Sequence, residues 1–148
     1  MARRIDTAVE IAASPAVVWQ ILTDFSAYPE WNPFIRAIRG EARLGARLAV
    51  SIQPPGGRAM QFQPQVQEAE PQRVFSWLGR LLLPGLFDGR HEFRLEANAG
   101  GTRLLHRETF SGVLVPLAWN SMQQPTRAGF EAMNRALKAR AETPASEG

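Results

Sequence analysis

The chain has 148 residues, a length typical of one domain, and its 45% hydrophobic and 21% charged residues exclude a disordered, collagen-like or coiled-coil protein. It contains no cysteine, which excludes a disulfide scaffold, a thiolate metal site and a cysteine nucleophile. The formal net charge of +3 comes from arginines scattered along the chain rather than from a basic stripe, so we expect no nucleic-acid partner.

The N-terminal segment predicts a strand followed by a helix. Within residues 5–11 the odd positions hold Ile, Thr, Val and Ile and alternate with mostly polar residues, which is the pattern of a strand with one buried face. Ser14 and Pro15 then suit the N-cap and the first position of a helix. Residues 24–34 contain two prolines, so we expect at most a second, short and broken helix there.

Residues 35–111 carry strand patterns that are separated by turns rich in proline and glycine. Pro64 lies inside one of these patterns and predicts an edge or a bulge, because proline cannot donate to a β-ladder. Most of the connections are short enough for hairpins, which favours antiparallel pairing. The predicted strands cover residues 47–53, 59–70, 73–79, 87–96 and 102–111.

A long C-terminal helix is predicted from apolar residues at spacings of three and four, which include Phe130, Met133 and Leu137. Pro125 either begins this helix or kinks a longer helix that starts near Leu117. Residues 143–148 are predicted to form a flexible tail, which leaves residues 1–142 as a single domain.

These elements predict an α+β fold. A curved antiparallel sheet of about six to seven strands would hold the long C-terminal helix on one face, with two short helices after the first strand. A sheet that curls around one helix leaves room for an apolar cavity between them. The N-terminal residues lack the apolar run of a secretory signal, and the apolar runs around Pro84 and Pro116 are too short to span a membrane. We therefore expect a cytoplasmic protein without a membrane span.

Three segments resemble a known superfamily. They are SPAVVW at residues 14–19, YPEWNPF at residues 28–34, and FDGRHEFRLE with GGTRLLHRETFSG between residues 87 and 112. Together with the order of elements over residues 3–141, they resemble the START-like (SRPBCC) superfamily. Its helix-grip fold is shared by polyketide cyclase/dehydrase-like proteins, lipid-transfer START domains and birch-pollen-allergen-type proteins. The resemblance implies one START-like domain over residues 1–142.

The resemblance also implies a function. Members of the superfamily bind hydrophobic or amphipathic small molecules, such as lipids or polyketides, in a cavity under the C-terminal helix, and we expect the same here. One alternative is a cofactor-independent cyclase, dehydratase or isomerase that works in this cavity, and another is a protein-interaction module like the chaperone-ATPase-activator branch. The superfamily has no invariant catalytic motif to transfer, we expect no cofactor, and a homodimer is compatible with each of these functions.

The two histidines of the chain lie on neighbouring predicted strands and share the apolar face of each strand. If Leu95 faces Leu104 across the hairpin, His91 lies opposite Glu108. A shift of two residues places His91 opposite His106 instead. Both registers bring His91, His106 and Glu108 together as a polar cluster inside an otherwise apolar lining.

This cluster has several interpretations. A carboxylate beside an imidazole fixes its tautomer and raises its basicity, so the three residues are candidate catalytic acid–base groups. They also suit the orientation of a ligand hydroxyl or carbonyl, or the mutual satisfaction of buried polar groups. Two histidines and a carboxylate match the ligand types of a metal, but neighbouring strands lack the spacing of a helical metal motif, and we expect no metal.

The candidate ligand-binding residues combine both histidines with the inward-facing aromatic residues and one methionine. Trp31 is included because, in proteins similar to this one, the corresponding segment lies near the cavity entrance. The complete set is Trp31, Phe62, Trp77, Phe87, His91, Phe93, His106, Phe110, Phe130 and Met133.

Overall fold

The first strand and the first helix form where the sequence predicts them. In the computed structural model, which describes residues 3–81 and 83–143, β1 spans Arg3–Ile11 and α1 spans Pro15–Thr23. The Ser14 hydroxyl accepts a hydrogen bond from the backbone N–H of Val17 (3.3 Å), which caps the helix. Pro15 occupies the first turn, where a backbone N–H has no helical partner to lose.

The proline-containing segment after α1 folds as a broken helix, which confirms its prediction. It consists of a 3-10 turn (Phe25–Ala27) and the one-turn helix α2 (Tyr28–Trp31). The side-chain oxygen of Asn32 then accepts hydrogen bonds from the backbone N–H groups of Phe34 (2.9 Å) and Ile35 (2.8 Å). These two bonds turn the chain from α2 into the next strand.

The remaining strands complete two antiparallel sheets. Their bounds are β2 (Ile35–Arg39), β3 (Ala49–Ile52), β4 (Met60–Phe62), β5 (Gln65–Glu70), β6 (Val74–Leu81), β7 (Phe87–Asn98) and β8 (Gly101–Ser111). The larger sheet has the order β1-β8-β7-β6-β5, and the smaller sheet has the order β2-β3-β4. An isolated antiparallel bridge between Arg47 and Gln65 connects the two sheets.

The prediction of one continuous strand over residues 59–70 is wrong. The chain breaks at Pro64, so that β4 pairs in the smaller sheet and β5 pairs in the larger one. Pro64 has no N–H for a ladder, and its carbonyl accepts instead from the N–H of Leu48 (2.8 Å). Because of this break, the described residues form eight strands rather than six or seven.

The C-terminal helix α3 spans Val115–Glu142 with Pro125 inside it, so the longer of the two predicted helices is the one that forms. Because Pro125 has no N–H, the carbonyl of Ser121 one turn earlier lacks its usual helical partner. Further along, Gly129 allows close packing, since the ring of Phe34 occupies the place that a Cβ at position 129 would need.

The packing of α3 on the inner face of the sheet confirms the α+β helix-grip class. The helix lies mainly against β1 and also contacts α1 and β8. Within the described ranges, no helix is long and apolar enough to cross a membrane. Thr143 follows α3 and donates its hydroxyl to the carbonyl of Ala139 (2.6 Å), whereas the rest of the predicted tail lies outside the described residues.

Candidate functional site

A cavity of about 590 Å³ lies between the sheet and the first half of α3. Strands β6, β7 and β8 form its floor, β3 and β4 form one side, and α3 contributes Ala118, Met122 and Thr126. Most of the lining is apolar. The aromatic side chains that line it are Phe34, Phe62, Trp77, Phe87 and Phe110.

Two facing glycines form part of the cavity floor. Gly79 of β6 pairs with Gly89 of β7, and both line the cavity. A Cβ at position 79 would meet only ordinary contacts, such as the Cβ of Pro64 at 3.7 Å. At position 89, the carboxylate of Glu108 already occupies the space of a Cβ. The absence of a side chain at Gly79 therefore leaves space in the cavity, and its absence at Gly89 lets the Glu108 carboxylate extend over β7.

The register of β7 and β8 places the predicted polar cluster on the inner face of the sheet. Leu95 pairs with Leu104 and His91 pairs with Glu108, which confirms the first of the two predicted registers. His91 and Glu108 both line the cavity. His106 lies one step deeper, pairs with Phe93 across the strands, and is fully buried.

A chain of polar contacts runs from the cavity into the core. Glu108 Oε1 lies 3.2 Å from His91 Nδ1, and His91 Nε2 lies 2.7 Å from His106 Nε2. His106 Nδ1 lies 2.8 Å from Asn134 Oδ1 on α3. Asn134 Nδ2 donates to Thr7 Oγ1 on β1 (2.9 Å), and Thr7 donates in turn to the backbone carbonyl of His106 (2.7 Å).

The contact between Glu108 and His91 differs from the others in this chain. Its 3.2 Å separation is that of an ion pair, but its alignment does not meet hydrogen-bond geometry, and Nδ1 of His91 has no hydrogen-bond partner among the described residues. Within residues 3–81 and 83–143, no three His, Asp or Glu side chains are grouped as metal ligands would be. The two imidazoles direct their Nε2 atoms at each other rather than at a common point.

Aromatic rings enclose both imidazoles. His106 stacks on Phe130 with ring centres 4.1 Å apart, and His91 stacks on Trp77 at 4.8 Å. Burial lowers the pKa of His106 well below its usual value, and the neighbouring His91 lowers it further, although the bond to Asn134 acts in the opposite direction. His106 is therefore neutral at physiological pH.

The structure divides the candidate ligand-binding residues into two groups. Five of them line the cavity, and the candidate acid–base residue Glu108 lines it beside them. These five are Phe62, Trp77, Phe87, His91 and Phe110.

The other five candidates, Trp31, Phe93, His106, Phe130 and Met133, lie outside the cavity lining. Trp31 packs against the ring of Tyr28 with centres 5.1 Å apart. The remaining four have no exposed surface, because they fill the space between the sheet and the second half of α3. His106 nevertheless reaches the cavity indirectly through His91.

Sequence reasoning missed two members of the polar chain. Asn134 is 3% exposed and interrupts the apolar stripe of α3 between Met133 and Leu137. Thr7 occupies an inward position of β1 between Ile5 and Val9. In both places the sequence has a polar residue on an otherwise apolar face, which indicates a buried group that needs a hydrogen-bond partner.

Solved structures similar to this chain share its fold. The aromatase/cyclase ZhuI from Streptomyces sp. R1128 is 17% identical, with a TM-score of 0.74, and the match covers 96% of this chain and 94% of that one. The di-domain ARO/CYC StfQ of the steffimycin biosynthetic pathway is 16% identical, with a TM-score of 0.71 over 95% of this chain. This chain spans only 51% of StfQ. Ara h 8.0201 is 15% identical, with a TM-score of 0.63, and the match covers 94% of this chain and 99% of that one.

Sequence comparison gives one family. The profile described as "Polyketide cyclase / dehydrase and lipid transport" matches residues 2–142. No curated protein sequence matches the chain. The identities to the solved structures are low, so those likenesses concern the fold alone, whereas the profile covers nearly the whole chain.

Proposed function

Because the chain belongs to the polyketide cyclase / dehydrase and lipid transport family, we propose that it binds an apolar or amphipathic small molecule of lipid or polyketide type in the cavity under α3. The observation that carries this proposal is an apolar space of about 590 Å³ that ends on a carboxylate and an imidazole. Cavities of about 300–1,000 Å³ with an apolar lining and a few polar groups are typical small-molecule sites.

The lining determines which molecules suit the cavity. Aromatic side chains such as Trp77, Phe87 and Phe110 favour an apolar ring system or chain, because burying apolar surface contributes about 25 cal/mol per Å². Glu108 and His91 provide a polar contact for the ligand at the cavity floor. The preferred ligand therefore has a large apolar portion and a small oxygen-containing group.

Calorimetric titration with 2-naphthol tests this proposal. We expect saturable binding of one molecule per chain. Gly79→Val should weaken binding by at least about tenfold, since its side chain projects into the cavity without a close contact elsewhere. Gly100→Val is the control, because Gly100 lies in the β7–β8 turn and is not part of the lining. Absence of saturable binding, or equal binding by the wild type and Gly79→Val, would reject the site.

A second candidate function is proton-transfer catalysis of the cyclase, dehydratase or isomerase type. The specific observation in its favour is that Glu108 and His91 both line the cavity and lie 3.2 Å apart. A carboxylate at this position can remove a proton from the carbon beside a ligand carbonyl, which leaves an enolate that recovers a proton at the same carbon.

Deuterium exchange of 1-tetralone in heavy water tests this second function. We expect the protein to accelerate exchange at the carbon beside the carbonyl by about 100-fold over buffer, within the usual range of general acid–base catalysis. Glu108→Gln should abolish the acceleration, and His91→Ala should reduce it. Exchange that proceeds at the buffer rate, or that is unchanged in both variants, would exclude the mechanism.

A further inference from the structure

In the polar chain behind the cavity, each hydrogen bond can be assigned a donor and an acceptor, starting from Thr7. A backbone carbonyl can only accept, so the Thr7 hydroxyl must donate its proton to the carbonyl of His106 (2.7 Å). The Thr7 oxygen is then free to accept from the amide of Asn134 (2.9 Å). This contact assigns the nitrogen of that amide to the Thr7 side and its oxygen to the His106 side.

The orientation of the Asn134 side-chain amide determines the tautomers of both histidines. The Asn134 oxygen only accepts, so Nδ1 of His106 carries a proton (2.8 Å). His106 is neutral because it is fully buried, and its Nε2 is therefore an acceptor. The 2.7 Å contact between the two Nε2 atoms then requires the proton to be on His91.

The tautomer of His91 leaves Nδ1 as the ring nitrogen on the Glu108 side. Nδ1 lies 3.2 Å from Glu108 Oε1 without hydrogen-bond alignment, and it has no hydrogen-bond partner among the described residues. Since His91 and Glu108 both line the cavity, the hydrogen-bonding capacity of Nδ1 is left for a ligand there.

We infer that Thr7 and Asn134 are positioning residues that hold the two histidines in fixed tautomers, so that the unpartnered Nδ1 of His91 lies beside the Glu108 carboxylate at the cavity. This inference rests on the proposed function for its purpose: Nδ1 and the carboxylate together bind a neutral ligand hydroxyl, such as that of a phenol. A ligand carboxylate would instead meet Glu108 as a like charge.

The side chains packed around the two histidines carry no charge apart from Glu108. Strand β6 contributes Trp77, α3 contributes Phe130 and Asn134, and β1 contributes Thr7, none of which is charged. Besides Glu108, the charged side chain in the described lining is Arg80, whose guanidinium Nε lies 3.8 Å from Asp88.

Nitrogen NMR of a tag-free, ¹⁵N-histidine-labelled protein tests the inference directly, because two histidines give only four ring nitrogens. From about pH 5.5 to about pH 8.5, His106 should remain protonated at Nδ1 and unprotonated at Nε2. His91 should carry a proton at Nε2. A His106 that is protonated at Nε2, or that titrates in this range, would overturn the inference.

Variants separate positioning from mere packing. Thr7→Val keeps the shape of the side chain but removes the hydroxyl, so His106 should become a mixture of tautomers, whereas Thr7→Ser should restore the wild-type spectrum. A Thr7→Val spectrum identical to that of the wild type would contradict a positioning role. Asn134→Leu should produce the same mixture, and if it does not fold, the wild-type spectrum still decides the question.

The two proposals fail in different experiments. The spectra are recorded without a ligand, so a protein that does not bind 2-naphthol would still show whether the tautomers are fixed. Conversely, free titration of His106 would leave binding of 2-naphthol in the cavity unaffected. A comparison of 2-naphthol with 2-naphthoate connects the two proposals, and tighter binding of the carboxylate would overturn the assignment of His91 Nδ1 and Glu108 as the contact of a ligand hydroxyl.

Discussion

The two halves of α3 cover the same sheet, but only one half is packed against it. At the packed end, which we define by Phe93, Phe130 and Met133, large side chains from the sheet and the helix meet and have no exposed surface. At the hollow end, which we define by the cavity lining, Gly79 leaves space on the floor and Gly89 makes room for the Glu108 carboxylate. Large inward side chains therefore fill the space under the second half of α3, whereas small inward residues leave space under the first half.

The polar chain marks the boundary between the two ends. His106 stacks on Phe130 and belongs to the packed end, whereas His91 and Glu108 line the hollow end. A buried imidazole with all its contacts satisfied thus supports an imidazole at the edge of the cavity. This arrangement orients a polar group without exposing the core to solvent.

Two methionines on α3 give the largest predicted difference between the ends. Met133→Ala should reduce the free energy of unfolding by about 2–5 kcal/mol, because it removes a fully buried side chain from the packed end. Met122→Ala should cost about 1 kcal/mol or less, since Met122 is half-buried beside an existing cavity. Urea unfolding of both variants measures this difference, and equal losses would show that the two ends of α3 are packed equally tightly.

The burial of His106 should make the stability of the protein depend on pH. The pKa of His106 is lowered in the folded state by burial, so below its ordinary pKa of about 6.5 the unfolded chain binds a proton that the folded chain does not. The free energy of unfolding should therefore fall as the pH drops below about 6.5, with a contribution from His106 of up to about 1.4 kcal/mol per pH unit.

His106→Gln is the matched variant for this pH dependence. It retains a polar side chain but has no group that titrates, so its unfolding free energy should depend less steeply on pH between about 5.5 and 6.5. The measurement is urea unfolding at several pH values for both proteins. Parallel pH curves for the variant and the wild type would show that His106 binds its proton equally in the folded and unfolded states.

The two floor glycines give the smallest predicted difference. Gly79→Ala should raise the free energy of unfolding by roughly 0.5–1 kcal/mol, because its Cβ meets only ordinary contacts and the unfolded chain loses freedom. Gly89→Ala should not give this gain, because Glu108 must move away from His91 to make room. Thermal unfolding measures both variants, and a gain from Gly89→Ala equal to that from Gly79→Ala would show that Glu108 is not held in place.

Local sequence patterns predicted the part of the site that lies on one hairpin. The alternation in β7 and β8 identified the inner face, and the short turn between them limited the register to two choices, one of which placed His91 opposite Glu108. These features depend on residues close together in the sequence. They could therefore be predicted without knowledge of the rest of the fold.

Features that depend on distant segments could not be predicted in the same way. The pairing of Gly79 with Gly89 requires the register of β6 and β7, and the contact between Asn134 and Thr7 joins residues 127 positions apart. Pro64 predicted an edge or a bulge within residues 59–70, but not that β4 would pair in the smaller sheet beside the cavity. Such long-range pairing is decided by tertiary packing rather than by residue patterns.

We propose the hollow end as a binding site whose polar group is Glu108. A crystal structure of the protein soaked with 2-naphthol is the most direct test. We expect the naphthalene rings between Trp77 and Phe110, with the hydroxyl oxygen within hydrogen-bonding distance of the Glu108 carboxylate. A cavity filled by side chains of α3, or naphthol bound only outside the cavity, would rule out this site.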